Sequence, residues 1–463
     1  MDMTVGAVVL LLLLAAVGTV LAGDHVGVQL VRTSPSSTAH RFATISIQFA
    51  EEMNRDSVAP RLHVAPAVDG QLSWSGPTLT FKPAQPLQPG ATYAVTLDAG
   101  ATSASGRAVL DAHHFSFTVV GLRLAYLAPE DADVKNVWLA DPADPASALE
   151  LTHSASGAVA FDVSPDGTQL VYAERQGQGA QTDLVLRDLD SGLERRLTNC
   201  GDGACTNPVW SPDGSRVAYE RLVSSASSVP GVPRNATRVW LVDPNASPPT
   251  SQPILADSEI PPNYRPRWSP DGNRIAVTQL PTLASRDAGV RVLSIADGSS
   301  QFFPTTYGAA GAFTPDSLGF VYPALAVQGD GLQPILRRGD VTTGDVRDLP
   351  VPRAPIDDGP LTWTPDGRLL IARKYLGGRP ALGHQLDLFD VATGALTPYL
   401  EDPAYDAAVL RWASGGEQES SRLLIERSRV GTGGAGAELW LYDPATDALT
   451  HLLDGGFQPR WVP

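Results

Sequence analysis

A short phrase recurs down the last three-quarters of this chain and restricts its fold more than any other feature. It reads Val163-Ser-Pro-Asp-Gly, Trp210-Ser-Pro-Asp-Gly, Trp268-Ser-Pro-Asp-Gly, Phe313-Thr-Pro-Asp-Ser and Trp363-Thr-Pro-Asp-Gly. A worn copy stands at Trp412-Ala-Ser-Gly-Gly and half a copy at Trp461-Val-Pro. The anchors lie 47, 58, 45, 50, 49 and 49 residues apart. A period in that range means one supersecondary unit repeated, each copy unable to bury its apolar face without neighbours.

Each unit can be read strand by strand. An aromatic-ended strand runs into Ser-Pro-Asp-Gly, where Pro presets φ, Asp bonds back to its own backbone and Gly takes positive φ. The chain reverses there into a short apolar strand, such as Arg216-Val-Ala-Tyr219 or Arg274-Ile-Ala-Val277. A third strand ends in Asp, as in Val239-Trp-Leu-Val-Asp243 and Leu439-Trp-Leu-Tyr-Asp443, and a turn leads to a fourth, such as Glu194-Arg-Arg-Leu-Thr198. Four short antiparallel strands per period are the signature of a β-propeller blade. The repeat region opens at Leu122-Arg-Leu-Ala-Tyr126 with a second strand and finishes at Arg460-Trp-Val-Pro463 with a first one. The strand missing at one end is the surplus at the other, so the C-terminal strand is expected to close a ring of seven blades without a ragged edge.

The phrase, the apolar strand, the Asp-ended strand and the Leu-Thr ending resemble the TolB-type, WD-repeat-like propeller family over residues 121–463. The resemblance implies the fold more than a function, because the scaffold hosts many activities. The Asp residues of the phrase are needed by the hairpin and are not nominated for catalysis. Ser317 and Trp412 mark the copies that depart from the pattern.

Two further segments precede the repeats. Residues 1–25 contain an uncharged run from Thr4 to Ala22, about 28 Å of helix and close to the hydrocarbon thickness of a bilayer. It reads as a membrane anchor, or as a signal peptide cleaved after Val20-Leu-Ala22; both export the rest of the chain. Residues 26–120 alternate with period two, as at Ile45, Ile47 and Phe49 or Tyr93, Val95 and Leu97, which describes a sandwich of about seven strands. Phe49-Ala-Glu-Glu-Met-Asn54, Leu79-Thr-Phe-Lys-Pro83 and Leu87-Gln-Pro-Gly-Ala-Thr-Tyr93 resemble the bacterial Ig-like domain of surface-layer proteins. That resemblance implies a spacer or adhesive module outside the cytoplasm. The expected fold is thus all-β: one N-terminal hydrophobic helix, an Ig-like sandwich and a seven-bladed propeller.

The formal net charge of −16, with lysine only at positions 82, 135 and 374, argues against nucleic acid as a partner. The only cysteines, Cys200 and Cys205, share one loop, and in an oxidising compartment they are expected to form a disulfide. Gly431-Thr-Gly433-Gly-Ala-Gly436 spells a dinucleotide fingerprint but leads into a strand where the fingerprint needs a helix. His113-His114 point to opposite faces of a strand with no third ligand, so no metal is expected, and no motif calls for a cofactor. The sequence has no Gly-x-Ser-x-Gly elbow, no His-Glu-x-x-His and no P-loop. Related propellers are sometimes fused to a peptidase of the prolyl oligopeptidase type; none is expected after Pro463.

One asymmetry remains. The Pro-Asp-Gly hairpins are minimal, whereas the second-to-third connections are long, for example Leu222 to Thr237, Pro323 to Gln333 and Lys374 to Gln385. Binding residues concentrate on elaborated loops over a rigid scaffold, and this face carries Tyr264, Arg265, Tyr307, Arg353, Tyr375 and Tyr405. The expectation is a membrane-tethered, non-enzymatic binding or scaffold protein that presents this face to a protein or glycan. The alternative is a hydrolase or lyase working on envelope polysaccharide in the propeller funnel.

Overall fold

The computed structural model describes residues 27–177, 179–201, 203–223, 236–255, 262–280, 288–305, 311–328, 331–352, 355, 357–375, 383–413, 421–431 and 436–463. The chain divides into two compact units, Met1–Gly121 and Leu122–Pro463. Among the described residues it is all-β, with one short α-helix at Arg55–Val58. The expected N-terminal helix lies outside the described residues. Among the described residues no helix is long and apolar enough to cross a membrane.

The first unit is a sandwich of two four-stranded sheets. One has the order Leu30–Ser34, Ile45–Phe49, Thr78–Pro83, Gly70–Ser75; the other runs Thr38–Ala39, His113–Val119, Thr92–Leu97, Leu62–Ala65. The alternating residues do what their period demands. Ile45, Ile47 and Phe49 point inward with Leu79, and Tyr93, Val95 and Leu97 meet Phe117 and Val119 in the same interior, all of them buried.

The second unit repeats one motif. Among the described residues, seven antiparallel groups of four strands begin with Ala158–Val163, Ala204–Trp210, Asn263–Trp268, Ala312–Phe313, Asp357–Trp363, Tyr405–Trp412 and Phe457–Val462. The last of these is filled from both ends of the unit: Phe457–Val462 pairs with Arg123–Ala128, and Trp461 lies opposite Leu124. The groups opened by Ala158–Val163 and Ala204–Trp210 are additionally joined by a single parallel bridge between Thr182 and Ala204.

The recurring phrase folds the same way each time. The Ser or Thr hydroxyl donates to the Asp carboxylate (2.6 Å for Ser164 and Asp166, 2.6 Å for Ser211 and Asp213). The same hydroxyl accepts the N–H that opens the next strand, as from Gln169 and Arg216. The hydroxyl of Ser211 is the largest influence holding the Asp213 carboxyl below its usual range. Glycine then takes φ near +70° at positions 167, 214 and 272. At Gly167 a side chain is excluded twice, since a Cβ would also stand 2.7 Å from the Pro463 carbonyl oxygen. In the fourth copy Ser317 occupies the position with φ +60°, and its hydroxyl accepts the N–H of Asp271 from the preceding turn at 3.1 Å.

Neighbouring sheets are stitched by polar bonds as well as by apolar packing. The indole of Trp268 donates to the Val209 carbonyl, and that of Trp461 to the Arg411 carbonyl, each at 3.1 Å. A bulge interrupts the first strands at Arg265 and Gln458, both with positive φ. The bulge N–H finds its acceptor on the previous sheet: Glu220 for Arg265 at 2.8 Å and Glu426 for Gln458 at 2.7 Å. The expectation of a loop from Pro323 to Gln333 is corrected. The hairpin Gly319–Gln328 and Gly331–Asp340 stays paired out to Gln328 and Gly331, because alternating apolar residues extend both strands and expose Val327 and Leu332 near the tip.

Candidate functional site

The densest polar cluster lies where the sheets opened by Asp357–Trp363 and Tyr405–Trp412 meet. It is built from strand starts and strand ends on the side opposite the Pro-Asp-Gly turns. Register explains the convergence: Asp358 pairs with Arg373, Arg373 with Gln385, and in the next sheet Arg427 with Glu438.

His384 is the hub. Its Nδ1 lies 2.8 Å from Asp406 Oδ1, and its Nε2 lies 3.2 Å from Asp357 Oδ2. The backbone N–H of His384 donates to the same Asp406 oxygen at 2.9 Å, which fixes the ring against that carboxylate. Burial alone would lower the imidazole pKa, but Asp406 and Asp357 outweigh it and hold it above 6.5. Burial would raise Asp406, yet its bonds from His384 bring it below the ordinary carboxylate range. His384 is largely enclosed, whereas about half of the Asp357 side chain is open to solvent.

Below the histidine sits Arg373, whose Nε lies 2.7 Å from Asp358 Oδ1, with both side chains almost wholly buried. Burial pushes the Asp358 carboxyl up, and Arg373 counters it. On the neighbouring sheet the Arg427 guanidinium lies between two rings, 3.9 Å from the centroid of Tyr405 and 4.1 Å from that of Trp440. Asp402 pairs with Arg427 at 3.1 Å. Glu438 accepts from the Tyr405 hydroxyl at 3.0 Å and from the Trp440 indole at 2.9 Å. His384, Gln385, Asp402, Tyr405 and Arg427 together line a narrow crevice.

Glu438, His451 and Asp454 hold ligand atoms within 4.8 Å of one another, the one grouping among the described residues with the spacing of a metal site. Glu438 is already committed to Tyr405, Trp440 and Arg429, so the set is poorly disposed to a cation.

The residues singled out from sequence are distributed unevenly. Tyr375 and Tyr405 are buried, with hydroxyls given to Asp387 at 2.6 Å and to Glu438. They brace the cluster and offer little open contact area. Tyr264 is half-buried under the Arg265 guanidinium, 5.5 Å from its ring centroid, and Arg265 is exposed. Tyr307 and Arg353 lie outside the described residues. Cys200 and Cys205 form a disulfide, and both are buried in the core between two sheets. His384, Asp406, Asp357 and Arg427 were missed by sequence reasoning, because partners drawn from separate strands leave no spacing to recognise. The one available signal was His384 at the foot of a long connection.

Residues 24–119 match the family described as bacterial Ig-like domain. A curated relative, the uncharacterized peptidase YuxL of Bacillus subtilis, is 28% identical over 115 residues, covering 24% of this chain and 17% of the relative. The chain therefore spans well under two thirds of that protein's length. Solved structures with a similar fold include the β-propeller domain of the trilobed protease from Pyrococcus furiosus (TM-score 0.47, 12% identity, 64% of this chain and 84% of that one). An oligogalacturonate lyase in complex with manganese is also similar (TM-score 0.48, 16% identity, 69% of this chain and 85% of that one). The expectation of a non-enzymatic chain is corrected by the sequence similarity to a peptidase. The N-terminal module is an Ig-like domain of the bacterial kind, and the unit that follows is an all-β fold with propeller neighbours.

Proposed function

We propose that the protein is a hydrolase-type enzyme acting outside the cytoplasm on an envelope polysaccharide, with its seven four-stranded groups forming one seven-bladed ring of the TolB type. The observation that carries the reading is His384 held between two carboxylates at 2.8 and 3.2 Å at the edge of a crevice. A protonated imidazole oriented in this way is a general acid poised near neutral pH. Asp406 keeps the ring aligned and stabilises its charge. Asp357, half open to solvent, is the partner that a substrate oxygen can replace; that oxygen takes the Nε2 proton as the glycosidic bond breaks, while water adds to the sugar carbon and gives its proton to the freed Asp357 carboxylate. Arg427, lodged in the corner formed by the Tyr405 and Trp440 rings, stiffens the crevice wall.

Export is supported by the uncharged run from Thr4 to Ala22 and by the Cys200–Cys205 bridge, since disulfides persist in oxidising compartments. The test is to incubate the full chain with envelope polysaccharides and follow new reducing ends and the absorbance of unsaturated uronates. In parallel, peptide substrates are followed for released amines, which would redirect the reading to peptides. His384→Ala should abolish the activity while keeping a cooperative melting transition. Equal turnover by wild type and His384→Ala would remove the site from the mechanism.

A further inference from the structure

The residue just before each anchor alternates with it. The anchors Val163, Trp210, Phe313 and Trp461 are buried between sheets. By the period of a strand, the residue before an anchor lies on the other face of its sheet, and contacts between the first strands of neighbouring groups place these strands innermost, beside the axis of the ring. Three of these positions are arginine: Arg267, Arg411 and Arg460, each partly open to solvent. The others are Asp162, Val209, Ala312 and Thr362. Arg460 pairs with Asp162 at 2.9 Å. Among the described residues no carboxylate lies within ion-pair distance of Arg267 or Arg411, although the Arg411 guanidinium donates to the Leu410 carbonyl.

The three charges share one space. The strand Phe457–Val462 packs against Tyr405–Trp412 and against Ala158–Val163, while Asn263–Trp268 packs against Ala204–Trp210. Arg267 nevertheless feels the charge of Arg460, and Arg411 feels both Arg460 and Arg267. In the proposed ring they would face one another across the axis. Burial first, then the charges of Arg265 and Arg460, pushes Arg267 down to about 10; burial first, then Arg460 and Arg267, pushes Arg411 down to about 9. Glu426, which feels the charges of Arg411 and Arg460, is itself pushed up by burial and accepts the Gln458 N–H. A chain of net charge −16 thus keeps a cationic patch at its centre, where low-dielectric walls focus the field.

We propose that Arg267, Arg411 and Arg460 form an oxyanion-binding site on the axis, taking a ligand that carries carboxylate or phosphate groups. Guanidinium forks match both groups in geometry, and an anion between them relieves the repulsion that the fold leaves standing. The proposal rests on the ring arrangement and is independent of the hydrolase reading, since its test measures binding and not turnover.

The experiment is isothermal titration and thermal melting of the full chain with citrate, with inorganic phosphate and with uncharged glycerol. Citrate or phosphate should bind and raise the melting temperature, and glycerol should do neither; the preferred anion tells carboxylate from phosphate. Arg267→Gln and Arg411→Gln should each weaken binding tenfold or more, and each should melt no lower than wild type without anion. Arg347→Gln, an exposed outer-strand change, should bind like wild type. Absence of binding by wild type, or undiminished binding by both Arg267→Gln and Arg411→Gln, would overturn the site.

Discussion

Arg460 and Asp162, 298 residues apart in sequence, are joined by an ion pair of 2.9 Å across the point where the second unit closes. Asp162 has a second duty, since its other oxygen accepts the Trp210 N–H of the following sheet at 2.8 Å. One carboxylate therefore binds three consecutive sheets. Asp162→Ala should cost about 2–3 kcal/mol, because it orphans a buried donor and adds to the crowding of like charges. Arg460→Gln should cost less, since it removes repulsion on Arg411 together with the pair. Chemical denaturation of both variants checks the order; a larger loss in Arg460→Gln would contradict it.

Deleting residues 456–463 removes the strand opposite Arg123–Ala128. The second unit should then lose its cooperative transition, while residues 27–120 keep theirs. Calorimetry resolves the two, and a truncated protein that melts like the full chain would show that the pairing contributes nothing.

Ser317 stands in a left-handed conformation where the other copies use glycine, a strain of roughly 1 kcal/mol offset by its bond from Asp271. Ser317→Gly should be nearly neutral, trading the bond for relief. Ser317→Ala loses the bond, keeps the strain and should cost about 1–2 kcal/mol. Melting temperatures that fall in the reverse order would refute this account.

The buried pair of Arg373 and Asp358 should be intolerant of one-sided change. Arg373→Ala leaves an enclosed carboxylate and should destabilise the second unit by about 3–5 kcal/mol. Replacing both residues with Met and Leu should recover most of that loss. Denaturation curves of the single and double variants decide the matter.

His384 gives a pH dependence of definite sign. Its folded pKa is raised above 6.5, so its contribution is fully present below pH 6.5 and is lost as pH rises through the raised value. Wild type should lose more stability than His384→Gln over that window. NMR titration of the imidazole to a midpoint below 6.5 would contradict it.

The repeat, the hairpin chemistry of its turns and the all-β class were legible in the sequence because they rest on local rules: Pro and Gly dihedrals, Asx bonding and period-two alternation. The Ig-like module was legible for the same reason. The site was not. Asp357, His384 and Asp406 meet only because three strand termini from two sheets come together, and no spacing in the chain encodes that. Tyr375 and Tyr405 were noticed for residue type and loop position, yet their hydroxyls turn inward to Asp387 and Glu438. Long connections drew attention to the loops, while the proposed site lies on strand ends.

The seam between Phe457–Val462 and Arg123–Ala128 also has a mechanical meaning. Arg123 lies opposite Val462, so the chain enters and leaves the second unit at the same end of one antiparallel ladder. Tension applied across those two points breaks the ladder one rung at a time instead of shearing all its bonds together. The unit therefore has a tear line, resistant to heat because every rung holds at once, yet weak to a pull that peels from Val462 inward.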